Sequence, residues 1–287
     1  MRLLPLQADH GERQEDHLLV GTADGALRAV KVRAKGKPEV VWSREGLHQG
    51  PVTCVAVLCA PEGLVVSGCT TEGADSSLVV VDGLSGSTVK TLGEGGIPRG
   101  GVQGLAVSRE NPDSTRILVA GSASAVLLSG DEEKCAGAPA SVKLESPAGG
   151  EGGVLVALSP AASSALIAAR GASEVCVFEV CKGGTRRKPT EELKLVRKLQ
   201  LGLAAEALEI LGGGRTGAGG EYVAALGAGG ACEVVEIGAT DAKDRSWKVD
   251  LSGGDVGSAK SSRSRKRKSP PGGSAAVFSA ALDDECE

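Results

Sequence analysis

Short apolar runs bounded by Gly, Asp, Ser or Pro recur along the chain in groups of four. The clearest group reads Pro51-Val-Thr-Cys-Val-Ala-Val57, Gly63-Leu-Val-Val-Ser-Gly68, Ser77-Leu-Val-Val-Val-Asp82 and Thr88-Val-Lys-Thr-Leu92. Runs this short, rich in β-branched residues and flanked by turn formers, predict β-strands. The first run of each group begins near Val52, Val102, Val154 and Ala207, a period of about 50 residues that marks a repeat architecture.

The third group reads Val102–Val107, Arg116–Gly121, Ala125–Leu128 and Val142–Leu144. The fourth reads Val154–Leu158, Ala165–Ala169, Glu174–Val180 and Lys194–Leu199, and the fifth Ala207–Leu211, Tyr222–Leu226, Ala231–Ile237 and Trp247–Leu251. Ahead of them, His17–Val32 reads as strand, turn, strand, with Asp24-Gly25 supplying the positive-φ pair of a tight hairpin. Val40-Val41-Trp42 adds an outer strand. No first strand is evident for this unit, so the first and last units are expected to pair poorly. Ser164–Ala169 and Leu203–Leu211 also carry helical propensity. The Gly and Asp breaks between runs, with Pro112, Pro160 and Pro189 in predicted loops, favour strands. The expectation is all-β, a β-propeller of about five recognisable blades and incomplete as a ring, with a β-sandwich or mixed fold as the competing reading.

Composition changes how such a core is built. Aromatic residues are 2% of the chain and glycines number 43, so Val, Leu, Ala and Ile must fill the blades and each is thin in large packing groups. Eight cysteines form no CxxC pair, and the three histidines (10, 17 and 48) all lie near the N-terminus. Zinc therefore has poor material, and Cys54, Cys176 and Cys232, inside apolar runs, read as small hydrophobes. No metal and no cofactor is expected. No secretory leader is visible after Met1, and no apolar run is long enough to span a bilayer, so the chain reads as intracellular and without a membrane partner.

After about Ser252 the composition turns to Ser, Gly, Lys and Arg. The division expected is a propeller over 1–252, a disordered basic linker over 253–274, and a short apolar then acidic terminus over 275–287. The net charge is −4, and Lys260–Lys268 holds six cations and no acid, so the remainder carries −10. Arg263, Arg265, Lys266, Arg267 and Lys268 form a compact cluster followed by Ser269-Pro270. Clustered cations on a tether suit the acidic groove of an import receptor and also bind phosphates without reading sequence. They predict nuclear localisation and a weak RNA contact confined to this tail, since the acidic body repels RNA. Phosphorylation of Ser261, Ser262, Ser264 or Ser269 would cancel that charge.

The glycine clusters 93–101, 149–153 and 212–220 lack the Lys-Ser/Thr of a phosphate loop and read as long connections. With so few histidines and scattered carboxylates, no catalytic set is legible, so no enzymatic activity and no small-molecule substrate is expected.

Gly50-Pro-Val-Thr-Cys-Val55, Leu64-Val-Val-Ser-Gly68 and Leu78-Val-Val-Val-Asp82 followed by Gly86 together resemble a WD40 repeat. That family closes a blade on a Trp-Asp pair tied to a Gly-His position; here Val81-Asp82 stands for the pair and His48 is the candidate histidine. A narrower resemblance is to the nucleolar WD-repeat proteins of the small-subunit processome. Gly21-Thr-Ala-Asp-Gly-Ala-Leu27, the long second unit and Val175-Cys-Val-Phe-Glu179 are similar to blades of the Utp5-like proteins of the UtpA subcomplex. The resemblance implies a non-catalytic scaffold in ribosome biogenesis, in nucleus and nucleolus, partnered by other proteins of a multi-subunit assembly. A cytoplasmic adaptor whose tail binds acidic partners or membrane, and a propeller hydrolase, are the alternatives.

Overall fold

The computed structural model describes residues 2–6, 15–32, 37–59, 63–70, 78–92, 97–98, 101–108, 115–130, 140–144, 153–185, 188–212, 221–237 and 246–250. All fall in one compact unit, Met1–Gly254. Their strands form five antiparallel sheets, each of four consecutive strands. The first sheet holds β1 (Arg2–Leu6), β2 (Glu15–Gly21), β3 (Leu27–Lys31) and β4 (Glu39–Arg44); the second holds β5 (Val52–Cys59), β6 (Leu64–Cys69), β7 (Leu78–Asp82) and β8 (Thr88–Leu92). The third holds β9 (Gly104–Val107), β10 (Thr115–Ala120), β11 (Ser124–Gly130) and β12 (Ala140–Lys143). The fourth is β13 (Val154–Leu158), β14 (Ser164–Ala169), β15 (Glu174–Thr185) and β16 (Lys188–Gln200), and the fifth β17 (Ala205–Leu211), β18 (Tyr222–Gly227), β19 (Ala231–Glu236) and β20 (Ser246–Asp250). The first strands lie against one another, β5 on β9, β9 on β13 and β13 on β17, so the sheets radiate from that side as blades. The chain is an all-β, WD40-like propeller of five described blades.

The strand period of two explains the stacking. On β10, Leu118 and Ala120 pack toward the fourth sheet, while Ile117 and Val119 pack toward the second. Each inner blade thereby buries both faces, which is why its strands read as nearly continuous apolar runs. Four apolar clusters result. They join the first sheet to the second (around Leu19, Leu27 and Val81), the second to the third (Leu78, Ile117), the third to the fourth (Leu118, Ile167, Phe178), and the fourth to the fifth (Leu166, Leu208, Val223). Among the described residues, no such cluster joins the fifth sheet to the first.

The recurring glycine at the end of a blade's second strand has a packing cause. A Cβ on Gly21 would stand 2.4 Å from Cγ1 of Val52, and one on Gly68 would stand 2.5 Å from Cγ1 of Val102. At both positions the next blade's leading valine presses onto bare backbone.

Three expectations are corrected. The first blade has its first strand: Arg2–Leu6 pairs along its length with Glu15–Leu19. Pro5 and the charged stretch after it hide the alternation, and β1 tolerates proline because it is an edge strand of its sheet. The terminal blades are fully paired, since β17 through β20 are also continuous. Pro189 lies in strand β16 opposite Gly184, not in a loop. There β15 and β16 run past their sheet. β14 pairs with β15 from Cys176 to Glu179, and Cys181–Thr185 then pair with Lys188–Glu192 as a two-stranded ribbon. Ser164–Ala169 and Ala205–Leu211 are strands, so packing overrides their helical propensity.

Candidate interaction site

The blade junctions are latched by side chains that cross them. His48, buried in the β4–β5 connection, places Nε2 2.9 Å from Oγ of Ser67 on β6. Its own N–H donates to the carbonyl of Gly25 at 3.1 Å, and Val52 N–H donates to Thr22 O at 3.0 Å. The β2–β3 turn of the first blade is thus tied to the second. Burial lowers the imidazole's proton affinity below its ordinary value, so at neutral pH the ring is uncharged and hydrogen-bonded to a hydroxyl.

On the outer side of the same junction, the indole N–H of Trp42 donates to Gly83 O at 2.8 Å and Arg44 Nε donates to Gly86 O at 2.7 Å. Gly86 is at φ +68°, and a Cβ there would stand 2.7 Å from the indole ring. Asp82 builds that turn: its Oδ1 accepts from Leu84 N–H (2.9 Å) and Ser85 N–H (2.7 Å). The Ser85 backbone bond, first among its donors, holds the carboxyl below the usual range. Further along, Arg116 on β10 meets Glu191 on β16 at 2.5 Å, and Arg197 on β16 donates to Glu236 O at 2.7 Å. The latches fix the blades to one another, which makes the array a rigid platform.

Among the described residues, the two end sheets each leave one face without a neighbouring blade. On the fifth, Val223, Ala225 and Val235 point to the fourth sheet, so alternation turns Tyr222, Ala224, Leu226 and Val234 the other way. Leu226 is 38% and Trp247 48% exposed, and the rings of Tyr222 and Trp247 meet edge to face at 5.9 Å. On the first sheet, Leu18 and Val30 are half-buried on the face away from Leu19 and Ala29, beside Val40, which is 56% exposed. Both faces are apolar in part: Glu209 and Glu236 share the face of Ala224 and Tyr222 on the fifth sheet, and Arg28 shares that of Leu18 and Val30 on the first.

The expected tail cluster, Arg263, Arg265, Lys266, Arg267 and Lys268, lies outside the described residues. So do Ser261, Ser262, Ser264 and Ser269 and most of the three glycine clusters. Among the described residues, Cys54, Cys69, Cys176, Cys181 and Cys232 are not joined in disulfides, and no group of three His, Cys, Asp or Glu stands together as a metal site. Burial pushes the Cys54 thiol up to about 12, so it packs as a neutral group beside Leu58 and Ala56. The open end faces and the β15–β16 ribbon are legible only in the structure.

No protein-family model and no curated protein matches the sequence. Solved structures do. Sqt1 from Chaetomium thermophilum matches at 20% identity and a TM-score of 0.53, over 78% of this chain and 54% of that one. A second structure of that protein, bound to the N-terminus of the ribosomal protein L10, matches at 20% identity with a TM-score of 0.52. The β-propeller domain of Myceliophteria thermophila Cps50 (Swd1) matches at 11% identity and 0.52, over 82% of this chain and 68% of that one. The chain spans about half the length of the Sqt1 chains it matches. At these identities the likeness is one of fold. Together with the five radiating sheets it defines the class, WD40-like β-propeller.

Proposed function

We propose that the chain is a non-catalytic protein-interaction scaffold of a nuclear complex, working in the nucleolus on small-subunit pre-rRNA processing. The observation that carries the scaffold reading is the pair of apolar end faces on a latched, rigid array. A sheet face already curved and pleated to receive another sheet favours a β-rich protein partner that packs on it as the next blade would. The nuclear part rests on the Arg263–Lys268 cluster. The ribosomal part rests on the resemblance of the units to the Utp5-like proteins; a propeller of similar fold holding a ribosomal protein's N-terminus is in keeping with it.

The test is depletion of the protein from cells followed by electrophoresis of the rRNA precursors, with the tagged chain imaged in parallel. Accumulation of unprocessed small-subunit precursor and a nucleolar signal are expected. An unchanged precursor profile with a cytoplasmic signal would overturn the reading in favour of a cytoplasmic adaptor.

A further inference from the structure

The chain's two tryptophans occupy one register position in two different blades. Counted inward from the β2–β3 turn, Gly21 pairs with Leu27, Leu19 pairs with Ala29, and Ala29 pairs with Trp42. In the fifth blade Leu226 pairs with Cys232, Ala224 with Val234, and Val234 with Trp247. Both indoles therefore stand on an outer strand, on the face that a following blade covers. Trp42 has that blade: it donates to Gly83 O and lies over Gly86 in the β7–β8 turn. Trp247 has no such blade among the described residues and is half exposed.

The open face of the first sheet is the counterpart. Leu18 and Val30 stand at the register positions of Val65 and Val81 in the second blade, which are buried against the first. Arg28 stands at the position of Val79. Val79 packs in one cluster with Leu19 and Ala29, whose equivalents on the fifth sheet are Ala224 and Val234. Glu209 pairs with Ala224, and Glu236 follows Val234 on the same face. A first blade set on a fifth as the second sits on the first would thus bring the Arg28 guanidinium to two carboxylates. Its Nε is a buried donor without a hydrogen-bond partner among the described residues, and its contact with the exposed Glu45, at 3.8 Å, contributes little.

We propose that the fifth sheet of one copy binds the first sheet of a second copy, head to tail, repeating the inner junction between blades. The charges select this pairing. Fifth sheet on fifth would gather four carboxylates, and first on first would oppose two guanidiniums, whereas first on fifth matches opposite signs. The contact is heterologous, so a row of copies leaves one open face of each kind at its ends for other proteins. The proposal rests on the reading of the end faces as binding surfaces.

Sedimentation velocity of the full chain across micromolar concentrations tests it. A mass above that of the 28.7 kDa chain, rising with concentration, is expected. Arg28→Glu alone, and Glu209→Arg with Glu236→Arg, should each weaken association at least about tenfold, because like charges then face one another. Mixing these two variants should restore it, since every contact between unlike copies pairs opposite charges; restoration also shows that both are folded. Val40→Glu, at an exposed position on the open face, should weaken association with an unchanged melting temperature. A monomer at every concentration would overturn the proposal, as would association that survives the single variants or a mixture of folded variants that stays apart. A monomeric chain would leave the scaffold reading to its own test on rRNA precursors, and an unchanged precursor profile would leave the self-association standing.

Discussion

A single imidazole shows how much of a blade junction can depend on one proton. His48 is hydrogen-bonded as a neutral ring, and its proton affinity is lowered by burial. Its folded-state pKa lies below the unfolded value of about 6.5, so the unfolded chain takes up the proton first as pH falls. The contribution is fully present above that pH and is lost as pH drops below it. Melting followed by circular dichroism should therefore show Tm falling between pH 6.5 and 5, with a shallower fall in a His48→Gln variant, which keeps a hydrogen-bonding group that does not titrate. Equal slopes would remove His48 from the account. Gly68→Ala tests crowding at the next junction. Val102 is β-branched and packed in the same cluster as Leu105, Ile117 and Val119 of the third sheet, so it cannot yield easily, and a loss of about 1–3 kcal/mol is expected in urea titration. An unchanged midpoint would mean that the blades tolerate a slight shift apart.

At the scale of elements, the scarcity of aromatic residues concentrates packing in few side chains. Phe178 on β15 is buried between the third and fourth blades among Leu118, Leu127 and Ile167. Phe178→Ala should cost about 3–5 kcal/mol, the range for removing a buried ring from a close-packed core. A loss below 1 kcal/mol in the same titration would show that neighbouring aliphatic residues close the gap. The strands of the second to fifth blades were legible because Val, Leu and Ala fill consecutive positions between glycine or aspartate breaks, as in Leu78–Asp82. The first strand was not: five residues with Pro5 among them carry no alternation, and only pairing with Glu15–Leu19 identifies them. The ribbon was misread for a related reason. Gly183-Gly184 and Pro189 are turn signals locally, and an edge strand accepts them because one side of its backbone needs no partner. The end faces were hidden because Tyr222–Leu226 is apolar at every position, and such a run does not reveal which of its faces has a neighbour.

The five described blades belong to one unit, and the Lys/Arg cluster falls in the sequence beyond it. The proposed nuclear location rests on the tail: changing Arg265, Lys266, Arg267 and Lys268 to Ala should shift a fluorescent fusion toward the cytoplasm, and an undiminished nuclear signal would place import with a partner. The proposed binding rests on the end faces. Sheet faces that match the inner junctions should hold protein partners through apolar burial, which salt weakens little, whereas contacts made by the cations should fade with salt. Quantitative mass spectrometry of partners purified from nuclear extract on the tagged chain, compared with a Leu226→Lys, Trp247→Glu variant of unchanged Tm, tests this central claim most directly. The account predicts that small-subunit precursor proteins accompany the wild-type chain and are lost from the variant. The same partners on both, or none of them on the wild type, would contradict it.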